Sequence, residues 1–589
     1  MKKCILIVVA ILALLGAVPA QERNDKEERE AKERQELEKK TLALLNEVAS
    51  ASWGLKAPEN RSFVMVNAAD LLWNADPKRA RTLYWDAINS LNLTSATRNP
   101  VENPSKAEQE KLAQNYYATY ELREKILMKV AAKDPQLALD MLRATRQVPP
   151  KNFDKGMQFP DDRELEQAIA NEIAAQDPTQ ALQLARESLA RGFTYGLMNL
   201  LYGLNRRYPE KATEFAGEII AKLRLANLAT DLRASDIAME MLQSSRKLGS
   251  RNMLMKTSAP VWPPIISLSD EQKRELVDSL TNAALSVSAN SNLLYGIKEL
   301  NREIDQFFPE RRAALERKLA AFHQTLNKEQ RDVDSMSTLI REGRAEELVR
   351  RAATPEGEKA RPMWYGQAAI AAVGRGDTAS FREFVSKEIK DKDALQSMLD
   401  TLDSQEIDKA IYQKRLDDLQ KLAPKIRRKE ERARAMAELA LMLKEKGDDQ
   451  TASSLLDDAA TLIKTDLKDD LQTQALLSLL TAYAVVDPPK AFAMAERTVD
   501  QANEQLSMLL LLDKVFKSGA IKKGELLVEQ TAAMPIDYMV FKYKRGVVAL
   551  AKADFGRTRA LAERFDRNEL RVMASLLIVK SLMESQDSP

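Results

Sequence analysis

The sequence predicts an all-α chain, a solenoid of antiparallel helix pairs, and three observations carry that prediction. Helix breakers are scarce, with 19 glycines and 22 prolines in 589 residues, where average usage is roughly 7% and 5%; the helix formers Ala, Leu, Glu, Lys, Arg and Gln dominate instead. Apolar helical stretches alternate with short breaks from about Leu42 onward. One phrase returns at the breaks: Ile126 to Ala144 reads ILMKVAAKDPQLALDMLRA, and 43 residues later Ile169 to Glu187 reads IANEIAAQDPTQALQLARE. A chain of this length exceeds one compact core unless it grows by adding repeats.

The first segment, residues 1–20, has the layout of a secretory signal. Lys2 and Lys3 precede an apolar run from Ile5 to Val18, and Val18-Pro19-Ala20 supplies small residues at the cleavage spacing, so cleavage is expected after Ala20. An uncleaved signal acting as an N-terminal membrane anchor is the alternative, although the run is shorter than a typical span. The only cysteine, Cys4, leaves with the signal, and the mature chain then contains no disulfide, thiolate metal site or cysteine nucleophile. Cleavage also removes Lys2 and Lys3 from the 89 basic residues, leaving 87 against 87 acidic ones and a formal net charge of zero. Nothing global then favours nucleic acid or an anionic membrane. No later segment approaches the ~18 consecutive apolar residues of a membrane span, and the expected location is periplasmic or secreted.

Residues 21–41 form a charged helical approach to the repeats, with opposite charges four apart at Glu22/Lys26, Asp25/Arg29, Glu28/Lys32 and Glu36/Lys40. Residues 42–256 are read as an N-terminal helical-repeat region. Its two aligned phrases share Ile126/Ile169, Ala131/Ala174, Ala132/Ala175, Asp134/Asp177, Pro135/Pro178, Ala138/Ala181, Leu139/Leu182 and Arg143/Arg186. Related breaks stand at Asp76-Pro77, Tyr208-Pro209 and Asp487-Pro488, each with an alanine (Ala80, Ala212, Ala491) at the fourth following position. The logic is local: Asp caps the free amides of a starting helix, Pro takes the first helical position where no N–H is needed, and Ala permits close helix contact.

Longer breaks fall at Asn99 to Ser105, Gln147 to Asp162, Thr257 to Ser269 and Ala353 to Gly366. Capping boxes at Ser105/Glu108 and Ser269/Gln272 fix where two of them end. Residues 257–269 form a Pro/Trp loop, 270–424 a middle helical region and 425–589 a C-terminal repeat region, with soft boundaries near 256 and 424. In the last region Met436 to Leu462 reads MAELALMLKEKGDDQTASSLLDDAATL, and Gly447-Asp448 makes its turn. Here the chain resembles the tetratricopeptide repeat (TPR) family: Leu439, Ala440 and Leu443 fall where that family's first helix packs, and Ala452, Leu456 and Ala459 follow its second-helix rhythm. The match covers about half the chain in patches. It departs from the family because the Pro breaks of the N-terminal half are spaced irregularly and Asp-Pro often replaces the turn glycine. The resemblance implies a TPR-like superhelix of helix pairs serving as a protein-interaction scaffold.

Candidate chemistry is sparse. The sequence contains no Gly-rich phosphate loop, nucleophile-elbow serine, HExxH, EF-hand or dinucleotide fingerprint, so no catalytic, metal or cofactor residue is assigned and no cofactor is expected. His323 is the sole histidine, beside the apolar line Leu315, Leu319, Phe322 and Leu326, and reads as an ordinary flank position. The run Lys425 to Lys429 is followed at once by Glu430 and Glu431 and reads as solvated helix. Trp53, Trp73, Tyr84 and Trp85 read as filling of a terminal core. Two tryptophans are candidate partner anchors: Trp262, in Ala259-Pro260-Val261-Trp262-Pro263-Pro264, and Trp364, in Arg361-Pro362-Met363-Trp364-Tyr365, because rigid aromatic and proline residues cost little entropy to order. The competing reading has each fold back to seal the core.

The expected function is an exported, non-catalytic scaffold mediating protein–protein interaction in the cell envelope. A carboxylate-dependent envelope hydrolase or lytic module on a helical-repeat frame, and a self-assembling structural spacer, are the alternatives.

Overall fold

The computed structural model describes residues 28–91, 105–146, 162–175, 177–246, 266–288, 293–326, 339–340, 343–354, 361–463, 470–516, 520–528 and 536–586. The signal-like segment and Trp262 lie outside them. The described chain is all-α apart from one two-stranded hairpin. It divides into two compact units, one holding residues up to Asn92 together with Leu416–Pro589, the other Leu93–Arg415. The first three helices therefore belong with the last ones, rather than with the repeats that follow them in sequence.

Helix α1, residues 28–51, starts as the charged approach: Glu36 and Lys40 pair at 2.7 Å, and burial begins only at Thr41, Leu44, Leu45 and Val48. It leads into α2 (Pro58–Leu72) and α3 (Pro77–Ser90), which pack together. Between them Asp76 accepts a hydrogen bond from the Arg79 amide at 3.0 Å.

The other unit opens with four helix pairs: α4 (Lys106–Ala131) with α5 (Pro135–Ala144), α6 (Asp162–Ile173) with α7 (Pro178–Arg191), α8 (Gly196–Arg207) with α9 (Pro209–Leu225), and α10 (Leu232–Ser244) with α11 (Asp270–Ser286). The first helices of successive pairs stack, α4 on α6, α6 on α8 and α8 on α10. Asp134 caps α5 through the Leu137 amide, and Asp177 caps α7 through the amides of Thr179 and Gln180, each at 3.0 Å. The alanine four places beyond each of the five breaks, Ala80, Ala138, Ala181, Ala212 and Ala491, is buried, as close helix contact requires. Both capping boxes form, at Ser105/Glu108 and Ser269/Gln272.

Arg123 of α4 is fully buried and ties the first two pairs. Its guanidinium donates to Asp162 Oδ1 at 2.5 Å and Oδ2 at 3.2 Å, to Thr145 Oγ1 at 3.1 Å and to the Leu142 carbonyl at 2.9 Å. A buried charge is tolerable because Nε, Nη1 and Nη2 each meet an acceptor. The unit continues through α12 (Leu293–Ile297), α13 (Asn301–Phe307), α14 (Arg312–Thr325), α15 (Ala345–Ala352), α16 (Arg361–Arg375), α17 (Thr378–Glu388) and α18 (Lys392–Tyr412). Helix α16 already begins at Arg361, so the second half of the break expected at 353–366 is helical; Pro362 sits in the first turn, where a missing N–H costs nothing.

The first unit resumes with α19 (Leu416–Leu422), α20 (Lys429–Glu445), α21 (Asp449–Leu462), α22 (Asp470–Val486), α23 (Pro488–Phe516), the strands β1 (Ile521–Lys522) and β2 (Glu525–Leu526), α24 (Ile536–Ala553), α25 (Phe555–Glu563) and α26 (Asn568–Gln586). Gly447 adopts φ +85°, a left-handed turn that glycine enters freely, and Asp448 caps α21 through the Thr451 amide. Helices α20, α22, α24 and α26 stack in order, and α26 packs on α2, so the chain's first helices extend the stack built by its last.

Candidate functional site

The sequence offers two tryptophans as anchors. Trp262 lies outside the described residues. Trp364 is only 3% exposed and packs in a core with Leu348, Ala368, Phe381, Val385 and Met398; burial corrects the surface-anchor reading in favour of core sealing, because the ring sits on the inward side of α16. His323 is half-buried on α14 with its ring 6.0 Å from that of Phe322. Trp73 packs against buried Tyr84 at 6.2 Å under the guanidinium of Arg81, whereas Trp53 is half exposed.

A polar cluster does form on the first helices of the pairs α4, α6, α8 and α10, and Glu164 is its centre. Because these helices stack directly, one residue from each reaches its neighbour. Arg233 of α10 lies 3.8 Å from Glu164 of α6. Tyr195, just before α8 and 46% exposed, donates its hydroxyl to Asp236 Oδ2 at 2.9 Å. About two turns along α8, Tyr202 donates to Glu240 Oε1 at 2.8 Å and shares a hydrogen bond with Ser244.

Several carboxylates of this cluster act on one another and on its tyrosines. Glu124 of α4 is held above the usual carboxylate range by partial burial first and then by the charges of Glu164 and Glu121, with Lys125 opposing. Burial pushes the Tyr120 hydroxyl up, reinforced by Glu124, Asp162 and Glu164 and opposed by Arg123. The hydrogen bond to Asp236 is the main reason Tyr195 is raised, and Glu164 adds to it. A carboxyl raised by neighbouring carboxylates marks like charges brought together. Beside these acids, Tyr116 stacks on Tyr120 at 6.3 Å and meets Tyr117 edge-on at 6.2 Å. The face therefore offers acceptors, negative charge and rigid aromatic rings, the ingredients for holding a basic segment.

The carboxylates elsewhere are arranged differently. Asp403 and Glu406 of α18 both accept from Arg382 of α17, an ion-pair brace between two helices. No group of three or more His, Cys, Asp or Glu that could hold a metal occurs among the described residues. Sequence reasoning missed the Glu164 cluster, although five of its tyrosines, Tyr116, Tyr117, Tyr120, Tyr195 and Tyr202, come from one stretch of a chain with 13 in all.

No family model and no curated protein matches the chain. Among solved structures, one match is a circular tandem repeat protein with novel repeat topology and enhanced subunit contact surfaces, 12% identical over 92% of this chain and 97% of that chain, with a TM-score of 0.15. Superposition that loose carries neither fold detail nor function across.

Proposed function

We propose that this chain is an exported, non-catalytic helical-repeat scaffold of the cell envelope, and that the face centred on Glu164 receives a basic protein segment. The observation that carries the reading is a chain of acids across stacked helices: Glu124 feels the charge of Glu164, and Glu164 and Asp236 both act on exposed Tyr195 beside Arg233. Charge complementarity steers association and selects partners, while tyrosine supplies contact area at little entropic cost. No described helix is long and apolar enough to cross a membrane, which agrees with a role away from the bilayer core.

The test is fluorescence anisotropy with a labelled Lys/Arg-rich peptide and an acidic peptide of equal length. The basic peptide is expected to bind preferentially, and E124Q/E164Q/D236N is expected to weaken it about tenfold or more, with a smaller loss in high salt. Equal binding of both peptides, or affinity indifferent to the triple substitution, overturns the reading.

A further inference from the structure

Helix α2 begins without a cap of its own. Its N-cap position is Ala57, whose side chain has no acceptor, and yet the amides that lead into it are bonded. Glu525 satisfies them: its Oε1 accepts from the Lys56 amide at 2.7 Å and its Oε2 from the Ala57 amide at 2.9 Å. The carboxylate sits at the positive end of the helix dipole, where negative charge is favoured.

Glu525 is delivered by a small device. Strands β1 and β2 pair Lys522 with Glu525 across the two-residue loop Lys523-Gly524, in which both residues have positive φ, +51° and +80°. That is the backbone of the tightest hairpin turns. The hairpin is itself bolted down: Arg567 donates to the Gly524 carbonyl at 2.7 Å and pairs with Glu569, which accepts from the Leu526 amide at 3.0 Å. Asn60 of α2 closes the circuit, donating to the Leu526 carbonyl at 2.8 Å and to Glu525 at 3.3 Å while accepting from the Val528 amide at 3.1 Å. Lys522 pairs with Glu59. Glu525, Asn60 and Glu569 are all buried, at 5%, 2% and 2% exposure.

Beneath this polar circuit lies a compact apolar contact. Val48, Leu55 and Val64 from the N-terminal helices meet Ile536 and Val540 of α24 and Val572, Met573 and Leu576 of α26. A buried polar network is worth most when complete and is costly when partly broken, so the contact has two favoured conditions, fully made or fully parted.

We infer that residues 28–91 form a closing strap, latched by Glu525, that opens as one unit and uncovers a helix-docking groove on α24 and α26. The groove's occupant is this chain's own N-terminal segment. Opening leaves the stack α20, α22, α24 and α26 intact, because those helices pack on one another through contacts that do not involve the strap.

Thiol labelling tests the inference on the full chain. With Cys4, the only cysteine, replaced by serine, Leu576→Cys reports exposure of the groove and Ala440→Cys reports opening of the stack itself; both positions are fully buried. Glu525→Ala is expected to accelerate labelling at 576 on the order of 30-fold or more while changing 440 less than about threefold, and Glu525→Gln, which keeps one acceptor oxygen, is expected to fall between. Hydrogen exchange on the Glu525→Ala protein without added cysteines serves as the independent check: amides of α2 are expected to lose protection and those of α22 to keep it. Equal acceleration at 576 and 440, or no acceleration at 576, overturns the strap, as does uniform loss of protection.

Discussion

Two helix starts in this chain solve the same problem in opposite ways. At α5 the free amides are satisfied by Asp134, the residue immediately before the helix. At α2 the amide of the N-cap residue, Ala57, is satisfied by Glu525, which lies 468 residues away. The first solution is portable: it repeats at Asp76, Asp177, Asp448 and Asp554 with the same geometry, so each helix pair carries the means to begin itself. Among the described residues the second appears once, where the first helices meet the last. Repeats that grow by stacking need only nearest neighbours, whereas closing the stack with a distant segment needs a contact that no single repeat contains.

The comparison predicts a hierarchy of losses. Removing the distant cap with E525A should cost about 3 kcal/mol of local opening free energy, because two backbone donors and Asn60 lose an acceptor in a buried setting; hydrogen exchange in α2 reads it. Giving α2 a local cap sharpens the point. A57D in the E525A background should return about 1 kcal/mol, while A57D alone should destabilise, since it crowds a second carboxylate against Glu525. Removing a portable cap with D134A should cost about 1 kcal/mol, confined to the protection of α5. The smallest effect concerns a half-buried carboxylate. Glu438 of α20 is raised by burial, against the pull of Arg434, Arg545 and Lys542. A raised carboxyl binds its proton more tightly in the folded state, so its penalty is absent below the ordinary value of 4.5 and fully present above its folded value. E438Q should therefore be more stable than the parent at pH 7 in denaturant titrations, with the advantage vanishing as pH falls below about 4.5.

What could be read from sequence follows the same divide. Asp-Pro caps, the buried alanines, both capping boxes and the turn at Gly447 are decided within four residues, and each appears as expected. The start of α16 was hidden because Arg361-Pro362-Met363-Trp364-Tyr365 looks like a rigid loop, although proline in a first turn is compatible with helix; once the helix starts there, Trp364 is carried into the core. The Glu164 cluster was illegible for a different reason. It takes Glu124, Glu164, Tyr195 and Asp236 from four places in the chain, and their meeting depends on how helices stack, not on any local period. Glu525 was illegible for the strongest version of that reason: one more acid in an ordinary Lys-Lys-Gly-Glu stretch, it gains its role only from a partner at the other end of the molecule.

The distance between Lys56 and Glu525, 469 residues, is also an interval of time. Translation at about 5–20 residues per second separates the two by roughly 20–90 s, so α2 must wait, without Glu525 and with its apolar face bare, for α24 and α26 to be made. The partner in this contact that is made first is the last to be completed.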